Sequence, residues 1–141
     1  MTQPSPRRYL ETQILTASRE RLLLMLYDGA IRFAEQGRDA LAAKELEKAH
    51  ESLVKVQRIV VELWCALNPS VDPELSKTLG GLYAFLYLRL VHANVHRDLH
   101  AADEAIGVLR RLREAWGEAV AAVKQGETPV EADPAGVQAS G

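Results

Sequence analysis

A single cysteine in 141 residues excludes an internal disulfide, and an unpaired thiol points to a reducing compartment. Cys65 lies in the apolar stretch LWCAL and is read as a small buried hydrophobe, not a nucleophile. Charge of one sign is also lacking. A net charge of −2 excludes a broad attraction to nucleic acid or to an anionic membrane. The cluster Arg110, Arg111 and Arg113 stands beside Glu114 and Glu118 and reads as a solvated helix face. No long apolar run is present. The longest uncharged stretch, Thr78 to Leu88, is too short to span a bilayer, and the N-terminus has no secretory h-region. A cytoplasmic protein without membrane insertion is expected.

Catalytic motifs are missing as well. Gly80-Gly81 is not followed by Lys-Ser or Lys-Thr, so there is no phosphate-binding loop. No nucleophile elbow, zinc-protease helix or CxxC pair occurs. His92, His96 and His100 fall at i, i+4 and i+8, a spacing that can place imidazoles on one helix face for Zn²⁺. Arg89 beside them and Asp98 within the run favour a polar surface instead. Glu47 and His50 form one Glu-x-x-His, whereas a di-iron bundle needs two such pairs. No enzyme activity, metal or cofactor is expected.

What remains is helix. Prolines between the two ends occur only at 69 and 73, and β-branched alternation is absent. Leu46, Ala49, Leu53, Val56, Val60, Leu63 and Leu67 alternate steps of three and four, the seam of a bundle. Leu75, Leu79, Leu82, Leu86 and Ala93 form a second stripe. Ile106, Leu109, Leu112, Trp116, Val120 and Val123 form a third. Ser18 is a candidate N-cap, as are Asp72, with Pro73 at the first helical position, and Asp98. An unbroken helix from Ser18 to Leu67 would be about 75 Å long, too long for a compact domain of this size. A turn is therefore placed near 42–45. The expected fold is an all-α, antiparallel up-down four-helix bundle with helices at 18–42, 45–67, 73–97 and 99–124. Residues 1–17 form a flexible N-terminal segment, and 125–141, rich in Gly, Pro, Ala and acids, a disordered tail.

Two helices carry more apolar surface than one core face requires. Leu22 to Tyr27 is apolar all the way round the helix. Tyr83, Tyr87, Leu90 and Asn94 form a line beside the core stripe, and Phe85 and Leu88 add a third direction. Mid-helix Gly80-Gly81 suggests the close approach of another backbone. Both helices are central in the bundle, or they line a groove for a partner peptide.

The stretch YLETQILTASRERLLLMLYDGAIRF resembles the N-terminal signature of the flagellar export chaperone family FliS. The matching residues are Tyr9, Ile14, Thr16, Ala17, Ser18, Leu26, Tyr27, Asp28, Gly29 and Ala30. LYAFLYLRLVHAN is similar to the family's second block through Leu82, Tyr83, Arg89, Leu90, Ala93 and Asn94, and LRRLREAW is a weaker third match. The family pattern has Pro where Arg19 stands and Gly-Gly where PSVDP stands. The resemblance implies a non-enzymatic four-helix bundle that binds the disordered C-terminal segment of flagellin. It would prevent premature polymerisation and keep its client competent for type III export. An export-gate component is a further candidate partner, and the client-free chain is left open between a monomer and a homodimer. The competing reading is a general helical adaptor using the same grooves. Candidate client-binding residues are Tyr9, Ile14, Leu23, Tyr27, Tyr83, Tyr87, Leu90 and Asn94, with Tyr9 and Ile14 folding back over the empty groove. Leu22, Leu26, Ala30 and Phe33 would then serve the core. The alternative for Tyr27 and Tyr83 is core packing with a hydrogen-bonded hydroxyl.

Overall fold

The computed structural model describes residues 19–124. The N-terminal segment, the tail from 125, and the candidates Tyr9, Ile14 and Ser18 lie outside the described residues. Four helices follow one another: α1 (Arg19–Ala42), α2 (Leu46–Cys65), α3 (Pro73–His96) and α4 (Leu99–Lys124). Each packs on its neighbour in sequence, and α4 closes the ring on α1. The result is the antiparallel up-down bundle that short connections between long helices favour.

Each reversal has a local cause. α1 ends at Ala42. Lys44 takes a left-handed conformation with φ 60°, while the Glu45 N–H returns to Ala40 O at 2.8 Å. α3 starts where Asp72 accepts from the Leu75 N–H at 3.1 Å, with Pro73 placed where its missing N–H removes nothing. Arg97, at φ 54°, ends α3, and Asp98 then caps α4 by accepting from the His100 and Ala101 amides at 3.0 and 3.2 Å.

The Ala101 amide is the main influence holding the Asp98 carboxyl below its usual range. Desolvation opposes it, and the His100 amide and His92 add to the lowering. A depressed folded-state value gives stability that is full above the unfolded carboxylate pKa and is lost as pH falls through the folded one. Melting temperature should therefore drop below about pH 4 partly through this junction. In Asp98→Asn, followed by thermal melts across pH, that part of the drop should disappear.

The seam of α2 is buried through Ala49, Leu53, Val56, Val60 and Leu63, with Leu67 half-buried. Leu46, at the first turn, is exposed, a correction to the seam's start. Opposite, α1 contributes Tyr27, Ala30, Ala34, Ala40 and Leu41. α1 packs tightly on α2 at Gly37, where a Cβ would stand 2.9 Å from both Cγ and Cδ2 of Leu53. Overpacking of this kind costs about 1–3 kcal/mol. Gly37→Ala should destabilise the bundle by that amount in urea titration.

Between α1 and α4 run the ion pairs Asp28–Arg113, Glu35–Arg110 and Arg38–Asp103. They descend one helix as they ascend the other, as an antiparallel pair requires. Arg110 and Arg113 are thus paired across the seam to α1, beyond the solvated face read from their own helix. Exposed pairs stabilise weakly, so their effect is chiefly on register.

Candidate functional site

At the end of the bundle where α1 begins and α2 ends, the helices do not fill the space between them. They leave a cleft of about 360 Å³ lined by Leu23, Leu63, Leu67, Val71, Leu75, Leu79, Tyr83 and Trp116. That lies in the lower part of the range of about 300–1,000 Å³ for ligand sites. All four helices and the α2–α3 loop contribute. The polar groups at its rim are already engaged. The Arg19 guanidinium donates to Ala66 O at 2.7 Å, closing the C-terminal end of α2, and Asp72 caps α3. The interior therefore presents apolar walls with no unpaired charge at either of these two groups. Val71 is 77% exposed at the mouth and Leu75 43%. A shallower hollow lined by Leu22, Leu23, Leu26, Glu62 and Cys65 adjoins it across Arg19 and Leu67. Another, with Trp64, Pro69, Pro73 and Lys77, adjoins it at Leu67 and Ser76.

Tyr27 and Tyr83 meet beneath this cleft, hydroxyl to hydroxyl at 2.5 Å, across the diagonal from α1 to α3. Burial is the main reason the Tyr27 phenol ionises far above its usual range. Its bond to Tyr83 adds to the shift, and Trp116, a further hydrogen-bond partner, works against it. The Tyr83 phenol is raised by burial, against the effect of Tyr27. Both are neutral, hydrogen-bonded core groups.

The structure thus separates the sequence candidates. Leu23 lines the cleft, and Tyr83 reaches it from below. Tyr27 and Leu90 are fully buried, which corrects their placement at a groove surface. Each faces inward, on the same side as Ala30 and as Leu86 and Ala93 respectively. Tyr87 lies apart, in a groove between α2 and α3 with Val54, Arg58 and Val61. The Asn94 amide donates to His50 Nδ1 at 2.9 Å, tying α3 to α2. Of the residues expected to serve the core, Ala30 is fully buried, Leu26 and Phe33 are half-buried and pack against the core, and Leu22 is half-buried outside it. Cys65 is exposed, contrary to its apolar neighbourhood in sequence, because it falls on the outer side of the last turn of α2.

Sequence reasoning did not assign Val71, Leu75 and Trp116 to a site. An apolar residue inside the break NPSVDP was the available signal, since a loop ordinarily has no core side to fill.

Gly80 and Gly81 do not mark a close backbone approach within the chain. A Cβ on Gly80 would meet only the side chains of Trp64 and Leu67 at 3.7 and 3.8 Å, and one on Gly81 would meet nothing within 4 Å. The histidine run is broken by the α3–α4 reversal. His92 and His96 stack at 4.5 Å on α3, His92 reaches Asp98 at 3.2 Å, and His100 belongs to α4 beside Glu104. Among the described residues no group of three or more His, Cys, Asp or Glu is placed to hold a metal ion. Among them, too, no helix is long and apolar enough to cross a membrane.

Residues 1–123 match the family model described as flagellar protein FliS. The flagellar secretion chaperone FliS of Bacillus subtilis (strain 168) is 35% identical over 112 residues, spanning 79% of this chain and 83% of that protein. Its counterpart in Salmonella typhimurium (strain LT2) is 31% identical over 108 residues, 76% of this chain and 80% of that one. A bacterial flagellar chaperone of known crystal structure superposes with a TM-score of 0.69 at 26% identity, covering 81% of this chain and 93% of the other.

Proposed function

This chain belongs to the FliS family of flagellar secretion chaperones, and on that premise we propose that its client is the disordered C-terminal segment of flagellin. The observation that supports this most is the apolar cleft at the end of the bundle, open to solvent at Val71 and Leu75 and continuous with two neighbouring hollows. Such a surface suits an apolar segment that has no structure of its own. The client would order as it binds, exchanging chain entropy for buried apolar area. Held in this way it is unable to polymerise and stays competent for type III export through an export-gate component. The protein acts in the cytoplasm by binding and release, without catalysis and without a nucleotide. Of the proposed contacts, Leu23 and Tyr83 serve the cleft and Tyr87 the outer groove. Tyr9 and Ile14, which fall within the stretch that resembles the family signature, would join the same surface.

Calorimetric titration with a peptide of about 40 residues from the C-terminus of the same cell's flagellin tests the reading. Saturable one-to-one binding with a large negative heat-capacity change is expected, and a scrambled peptide should not bind. A folded bundle that ignores the flagellin peptide would transfer the cleft to another helical partner, the adaptor reading.

A further inference from the structure

The cleft is uncovered on the side of the α2–α3 loop. Val71 and Leu75 stand exposed at its mouth, and Trp64, 40% exposed, lines the adjoining hollow with Pro69, Pro73 and Lys77. Lys77 is itself exposed and has no ion-pair partner among the described residues. An apolar floor, an aromatic ring and one spare cation suit a proline-containing apolar segment that carries acids.

The chain supplies such a segment at this place. Arg89 pairs with Glu104 across the α3–α4 seam, which sets Pro73, at the start of α3, level with about residue 120 of α4. α4 runs on to Lys124, about one turn further, and so ends beside the loop that carries Val71. Beyond it come residues 125–141, QGETPVEADPAGVQASG, past the part of the chain that matches the family. They hold the acids Glu127, Glu131 and Asp133 and no Lys or Arg, and Pro129-Val130 is their first apolar pair. Six residues of extended chain reach about 20 Å, about twice the spacing of packed helices. That is enough to carry Val130 from the end of α4 across the mouth.

We infer that in the client-free chain the segment 128–133 lies across the mouth of the cleft. Pro129 and Val130 cover Val71, Leu75 and Trp64, and Glu131 stands beside Lys77. Little intrinsic affinity is needed, because a short tether gives an effective concentration in the millimolar range. Two apolar side chains bury far less area than a client segment several times longer, so the client displaces them. Until then the tail shields exposed apolar surface and competes with entry. A tail that covers the mouth about two-thirds to nine-tenths of the time lowers client affinity about three- to tenfold. The competition rests on the proposed client cleft, whereas the contact itself does not.

Cross-linking reads the contact with no client present. In the full chain with Cys65→Ser, Val130→Cys combined with Leu75→Cys should oxidise to a disulfide within one monomer, isolated by gel filtration. Val130→Cys combined with Lys48→Cys should not, because Lys48 is exposed about 24 Å along α2 from Trp64. Calorimetric titration reads the competition. Pro129→Ser with Val130→Ser removes the apolar pair at unchanged charge. This variant should bind the flagellin peptide about three- to tenfold more tightly than the wild type. Its helical circular dichroism should not change. A Lys48 pair that cross-links as readily as the Leu75 pair, or equal peptide affinity in the two chains, would overturn the inference. Should neither chain bind the peptide, the client reading fails and the cross-link alone decides whether the tail lies on the cleft.

Discussion

Tyr27→Ala should destabilise the bundle by about 3–5 kcal/mol, the range for truncating a large buried aromatic side chain. Domains of this kind have about 5–15 kcal/mol in all, so much of the fold's stability would go with one residue. The reason is its position. Tyr27 has no exposed surface, and its hydroxyl is bonded to that of Tyr83. Tyr27→Phe is the sharper probe. It keeps the ring but leaves the buried Tyr83 hydroxyl without its partner, at about 1–3 kcal/mol. Adding Tyr83→Phe removes that orphaned hydroxyl, so the double variant should be more stable than Tyr27→Phe alone. Urea titration of the set decides the matter. Were Tyr27→Ala to melt like the wild type and yet lose the client, the residue would be a binding contact and the hydroxyl pair incidental.

The opposite behaviour is expected at the mouth of the cleft. Leu75→Asp should weaken the flagellin peptide by about a hundredfold, or about 2.7 kcal/mol. A leucine buried by a partner contributes about 1.5–3 kcal/mol, and a carboxylate in its place opposes burial further. Stability should hardly change. Leu75 is 43% exposed, only its backbone N–H serves the Asp72 cap, and an acid in the first turn of a helix suits the helix dipole. Calorimetric titration beside a thermal melt separates the two effects. A large fall in melting temperature with intact affinity would make Leu75 part of the fold. Unchanged affinity in a stable variant would move the client away from this cleft.

Other local features were open to reading in different degrees. The α2–α3 break and both acidic caps stand out because Pro73, Asp72 and Asp98 act on the backbone within a few residues. The first reversal is less legible. It has no glycine or proline, and Lys44 adopts a left-handed conformation that sequence associates with Gly or Asn. Only the length limit on a compact domain required a turn there. On α3, apolar residues occupy so many directions that periodicity could not tell Tyr83 and Leu90, which face inward, from Phe85 and Leu88, which do not.

By itself the sequence determined the helical class, the number of helices, the α2 seam and the family, because spacing, capping and motif residues act locally or recur in a fixed pattern. Which apolar side chain is core and which is surface was decided only in three dimensions. The diagonal meeting of Tyr27 with Tyr83, the exposure of Cys65, and the gathering of Leu23, Leu75 and Trp116 around one cleft depend on how four helices rotate against one another. That rotation is set by contacts such as Gly37 on Leu53 and by the ion pairs along the α1–α4 seam, which join residues far apart in the chain.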